Sequence, residues 1–128
     1  MREKQSPPFD SRSLLWVMVS GPYTSGASSP DGRAANLRAM NRAAAEVWAL
    51  GLVPVIGVNM ALPLIEATGP ETYGSVMMPL SLALAERCDA CLRIGGRSQG
   101  ADDEAEVFRR QGKPVFSSIS ELRDWCVR

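Results

Sequence analysis

Histidine is absent from all 128 residues. That removes Ser-His-Asp and Cys-His catalysis and any His-ligated zinc, leaving acid–base work to Asp, Glu, Tyr, Lys or Cys. Cysteine is scarce: three residues without a repeating spacing, which fits a reduced, cytoplasmic setting. Cys88 and Cys91 are formally C-x-x-C, but no further cysteine pair completes a zinc site, so buried structural thiols are the default and no metal or cofactor is expected. Charge of either sign is not in excess, with 14 basic and 14 acidic residues. Nothing here marks a surface for a nucleic-acid polymer or an anionic membrane. Apolar runs are broken by Gly, Pro, Asn or Glu well short of the ~18 residues a membrane helix needs.

What is present is an ordinary globular composition, 45% hydrophobic and 22% charged, of a length that fits one domain. The polar start MREKQSPPFDSRS has two prolines and lacks the apolar middle of a signal peptide. Residues 1–12 therefore read as a loose tail and 13–128 as a single α/β domain.

Periodicity supplies the elements. LLWVMVS (14–20) is apolar on both faces, as a buried parallel strand should be. A helix is expected over 34–50, a strand over 52–58, and a short helix and loop over 59–73, where Pro63, Gly69 and Pro70 argue against one long helix. A second long helix follows over 75–87, with Pro79 marking its first turn. ACLRI (90–94) is the third strand, 102–111 a helix and 114–116 a short strand. Ser118 and Glu121 form a capping box that opens a last helix through Trp125. This alternation predicts a three-layer sandwich: a parallel sheet of four to five strands with helices on both faces, of the Rossmann or flavodoxin-like kind. In such sheets ligands bind beyond the carboxyl ends of the strands.

Two loops meet there. The first, 21–33, carries Gly21, Tyr23, Thr24, Ser25, Gly26, Ser28 and Ser29, small and hydroxylated residues suited to a phosphate at a helix N-terminus, with Arg33 as a charged fork. A flexible connection rich in turn formers is the plainer alternative. The second loop, GGRSQGADDE (95–104), places Ser98 and Gly100 before a helix and three carboxylates, Asp102, Asp103 and Glu104, in its first turn. Acidic residues there also serve a helix dipole, so not all three need act on a ligand. Met60, Met77 and Met78 are either pocket lining or core filler, and Glu71 and Tyr73 are candidates for a lid.

Three stretches over roughly 14–116 resemble the nucleoside 2-deoxyribosyltransferase-like family. VSGP ends the first strand. Asp89 opens an apolar strand after a helix. Ser98-Gln99-Gly100-Ala101-Asp102-Asp103-Glu104, then a helix and GKPVF, is similar to the family's S-x-G-x-x-x-E, helix, G-K-P-V. The resemblance implies Glu104 as a nucleophile on the anomeric carbon, and Ser98 and Gly100 as holders of a 5′-phosphate; Gly21, Tyr23 and Asp102 are further candidates to touch the substrate. It implies cleavage or transfer at an N-glycosidic bond, with Ser98 favouring hydrolysis of a nucleoside 5′-monophosphate, by a homodimer or larger homo-oligomer; the near-apolar stretch VMMPLSLALA would either meet a second copy or pack wholly against its own sheet. Two positions depart from the family: Met18 stands where it carries a tyrosine, and Ser81 where it carries an aspartate. Tyr23, Asp102 or Asp103 are the candidates to stand in. A nucleotide-binding or sensor module without turnover is the alternative. A fainter similarity, through Gly95, Gly96 and Glu104, is to phosphoribohydrolases of the lysine-decarboxylase-like group, whose motif proline and threonine are missing here.

Overall fold

A computed structural model describes residues 14–126; the expected tail at 1–12 lies outside them. Four apolar residues, Trp16 to Val19, closed by Ser20, make strand β1 (Trp16–Ser20), followed by α1 (Pro30–Ala49), β2 (Val53–Val55) and α2 (Gly57–Thr68). A 3-10 turn at Pro70–Thr72 leads into α3 (Tyr73–Arg87), then β3 (Ala90–Arg93), α4 (Gln99–Arg110), β4 (Val115–Phe116) and α5 (Ile119–Cys126). The strands form one four-stranded sheet, all parallel, in the order β2-β1-β3-β4. Among the described residues no helix is long and apolar enough to cross a membrane.

The pleat divides the core. Val17 and Val19 of β1 and Ala90 and Leu92 of β3 face one way, into a cluster with Met40 and Val47 of α1 and Leu122 of α5. Met18 and Cys91 face the other way, against Ala85, Cys88, Ala105 and Phe108 of the α3–α4 layer. Alternate residues of a strand point to opposite faces, so a strand buried on both must be apolar throughout. That is the three-layer α/β sandwich expected. Asp89 secures its lower end: its carboxylate accepts from the Trp16 amide at 2.7 Å and its own amide donates to the Trp16 carbonyl at 2.8 Å. Glu121 and Ser118 behave as a helix cap, the Ser118 hydroxyl accepting from the Glu121 amide at 3.1 Å.

Several boundaries differ from expectation. The first long helix begins at Pro30 rather than 34, because Ser29 caps it by accepting from the Gly32 amide at 3.1 Å and Pro30 fits a first helical turn. The second strand ends at Val55, and 57–58 already belong to α2. Pro63 sits inside α2 and Pro79 inside α3, neither at a first turn. The break falls instead at Gly69, whose φ of 111° ends α2. Tertiary burial of Ala61 and Ile65 on α2, and of Met77, Ser81 and Ala85 on α3, outweighs the ladder hydrogen bond each proline removes.

One close approach positions the site. A Cβ built on Gly57 would lie 2.1 Å from Ser81 Oγ and 2.8 Å from Ser81 Cβ, so only glycine lets the head of α2 meet α3 there. Gly57→Ala is expected to cost ~1–3 kcal/mol in urea unfolding, the usual overpacking penalty. The Gly57→Ala/Ser81→Gly pair should lose less than the two single changes summed, and strict additivity would contradict the contact.

Candidate active site

The two central strands, β1 and β3, send their connections in opposite directions: α1 crosses back to β2, and α4 crosses to β4. The loops leaving them diverge, and a crevice opens between. Gly95, at φ 78°, allows the loops to touch at its base, since a Cβ there would sit 2.7 Å from Pro22 Cδ.

Above this contact lies a cleft of about 220 Å³. Gly21, Tyr23, Thr24 and Ser25 come from the first loop, Gly57 and Val58 from α2, and Tyr73, Met77, Met78 and Ser81 from α3. Ser98, Gly100, Ala101 and Glu104 close it from the α4 side. Four of the expected substrate residues (Gly21, Tyr23, Ser98 and Gly100) thus share one cleft with Glu104. Met77, Met78 and Tyr73 join them, while Met60 is exposed on α2.

Asp102 is not in this cleft. Its carboxylate accepts from Arg93 Nε at 3.0 Å and its side chain is largely exposed, in a neighbouring open groove with Gly96, Arg97 and Gln99. The same Arg93 guanidinium donates to the carbonyls of Ile94 at 2.6 Å and Gly96 at 2.9 Å, so the pair straps the loop after β3. Asp103 accepts from Gln99 Nε2 at 2.8 Å on the helix surface. Neither aspartate lines the cleft.

The reason is helical phase. α4 starts at Gln99, three residues before the expected start, because Ser98 caps it by accepting from the Ala101 amide at 3.1 Å. Glu104 therefore sits in the second turn rather than the first. With 100° per residue, Asp102 and Asp103 turn outward while Ala101, Glu104, Ala105 and Phe108 turn inward. Ser98 is itself buried, its hydroxyl oxygen held by the Ala101 amide at the head of the helix.

Glu104 is 8% exposed, and among the described residues it has no ion-pair partner. Burial pushes its carboxyl above the ordinary carboxylate range; the hydroxyls of Ser20 and Ser81 and the charge of Arg93 oppose that rise, and Asp103 adds to it. Ser20 was not singled out from sequence, although it follows Met18 on the same face of β1 at the strand's carboxyl end. Met18, by contrast, is wholly buried in the α3–α4 layer and takes no part in the cleft. Ser81 faces Glu104 from α3, a small neutral group where the family resemblance implies a carboxylate.

The Tyr73 phenol is also held above its usual value by burial and by the nearby Tyr23, with Arg33 pulling the other way. Arg33 does not line the cleft. The thiols of Cys88 and Cys91 are pushed up to about 12 and about 11, chiefly by burial, and Cys91 donates to Ser20 Oγ at 3.5 Å. Both stay protonated at neutral pH, which suits core packing rather than redox or metal chemistry. No cluster of three metal-ligating side chains occurs among the described residues.

Searches of protein-family models, curated proteins and solved structures give no match to this chain.

The raised Glu104 carboxyl has a stability consequence. The folded state holds the proton more tightly than the unfolded chain, so stability falls as pH rises through the window between the ordinary value of 4.5 and the higher folded value. Above that window the burial cost of the charge is fully present. Glu104→Gln should therefore melt higher than wild type at pH 7–8, with the gap closing as pH falls below 4.5. A gap that is absent at neutral pH, or that widens in acid, would contradict a buried, uncompensated carboxylate.

Proposed function

We propose that the protein cleaves the N-glycosidic bond of a nucleotide, with Glu104 as the nucleophile, and that nucleoside 5′-monophosphates are its substrates. The observation that carries this reading is the buried, unpaired carboxylate of Glu104 in a cleft that also holds a capped helix N-terminus. A carboxylate kept from water and from cations attacks, or stabilises, a developing oxocarbenium carbon without metal or histidine. Ser98 and the amides at the head of α4 would hold the 5′-phosphate, where the cleft meets the open groove, since Ser25 and Ser98 border both. The cleft's volume of about 220 Å³ suits the sugar and part of the base and leaves the phosphate at its edge. The sequence resemblance supports the same assignment of roles.

Base release from a panel of nucleosides and their monophosphates, followed by chromatography, tests it. Wild type should release base from monophosphates in preference to nucleosides, and Glu104→Gln should lower kcat by on the order of 10⁴-fold. Activity should fall in acid with a midpoint above 4.5, as Glu104 takes up a proton. Undiminished release by Glu104→Gln would end the proposal. The second reading, a nucleotide-binding module without turnover, draws on Met18 being core and Asp102 lying outside the cleft. Calorimetric binding of monophosphates with no base released would favour it.

A further inference from the structure

Glycosidase-like cleavage ordinarily uses two carboxyl groups, one behind the sugar carbon and one to protonate the departing atom. This cleft contains only one. Apart from Glu104, no lining side chain among the described residues is acidic, basic or an amide; the polar groups are alcohols and the phenols of Tyr23 and Tyr73. Alcohols and phenols are poor proton donors at neutral pH. A neutral heterocycle would have to depart as an anion into a wall of Met, Val and Ile. A heterocycle already bearing a positive charge departs as a neutral molecule and needs no acid.

The charge distribution agrees. Glu104 is 8% exposed and lines the cleft, while Arg93, the guanidinium whose charge acts on it, is engaged by Asp102 at 3.0 Å. A cationic ring would supply the ion-pair partner that Glu104 lacks among the described residues. Two aromatic rings line the same cleft, Tyr23 from the first loop and Tyr73 from the head of α3, and aromatic faces attract fixed cations.

Building on the N-glycosidase reading, we infer that the preferred substrates are 5′-phosphorylated N-glycosides whose heterocycle carries a fixed positive charge, of the pyridinium or N-alkylated purinium class. In the first step a Glu104 oxygen bonds to the anomeric carbon as the C–N bond breaks. The C–N electron pair goes to the ring nitrogen and cancels its charge. Water then attacks the anomeric carbon, the glycosyl ester breaks, and the carboxylate is regenerated. The sum is cationic glycoside plus water giving sugar phosphate, neutral heterocycle and one proton released to solvent.

The test is a matched pair: guanosine 5′-monophosphate against its N7-methyl derivative, with nicotinamide mononucleotide and its uncharged dihydro form as a second pair. Uncatalysed release is measured in parallel and rates are expressed relative to it. The cationic member of each pair should be favoured in relative kcat/KM by ~10²-fold or more, the contribution a general acid would otherwise make for the neutral one. Tyr73→Leu should weaken binding of the cationic member alone by roughly 3- to 30-fold, and Tyr73→Phe, which keeps the ring, should not. Equal or faster Glu104-dependent release from the neutral members would overturn the substrate class while leaving the N-glycosidase reading intact. Equal losses on both members from Tyr73→Leu would also overturn it. Release from neither member would end both.

Discussion

Keeping one carboxylate out of water at the carboxyl end of a parallel sheet is the constraint around which this molecule is arranged. An isolated buried charge is costly, and the protein meets that cost with small groups rather than a cation. Ser20 closes β1 and Ser81 projects from α3, and both hydroxyls favour the ionised form of Glu104. Placing Ser81 there requires Gly57, because any side chain at the head of α2 would occupy the space of Ser81 Oγ. Turning Glu104 inward requires α4 to begin at Ser98, since the helical phase decides which of three consecutive carboxylates meets the cleft. Glycine contact, helix cap and strand end therefore serve one side chain.

The strap beneath is equally specific. Arg93 would be the natural counter-ion of Glu104, yet Asp102 holds it at 3.0 Å while its other nitrogens fasten the loop after β3. The acidic run at 102–104 thus divides its work: Asp102 pairs with Arg93, Asp103 accepts from Gln99, and Glu104 has no ion-pair partner among the described residues. If Glu104 is the proposed nucleophile, the stability given up at it is a familiar trade.

Much of this was legible in sequence. Apolar strands at 14–20 and 90–94 and the alternation with helices gave the parallel sandwich, and the S-x-G-x-x-x-E spacing brought attention to Glu104, Ser98 and Gly100. What escaped was set by three-dimensional contact. Local rules read Pro63 and Pro79 as boundaries, but burial on both sides of each carries the helices through. Asp102 is a candidate substrate group only if α4 starts three residues late, and 100° per residue magnifies such a shift. Ser20 carries no motif; only its position two residues beyond Met18, on the face that α4 covers, reveals it. Gly57 was hidden inside a run that reads as strand, where its need is a neighbour 24 residues away.

The central claim is that Glu104 bonds to a sugar carbon, and a covalent adduct is its most direct sign. Fluorine at the 2′ position of a nucleoside 5′-monophosphate destabilises the oxocarbenium-like centre of both steps, and a heterocycle that leaves readily, such as a cationic one, keeps the first step faster than the second so that the glycosyl ester accumulates. Intact-mass measurement after incubation, followed by peptide mapping, should show one glycosyl phosphate per chain, located on Glu104 in α4, with stoichiometric base released. Base release without an adduct, or an adduct on any other side chain, would contradict the account.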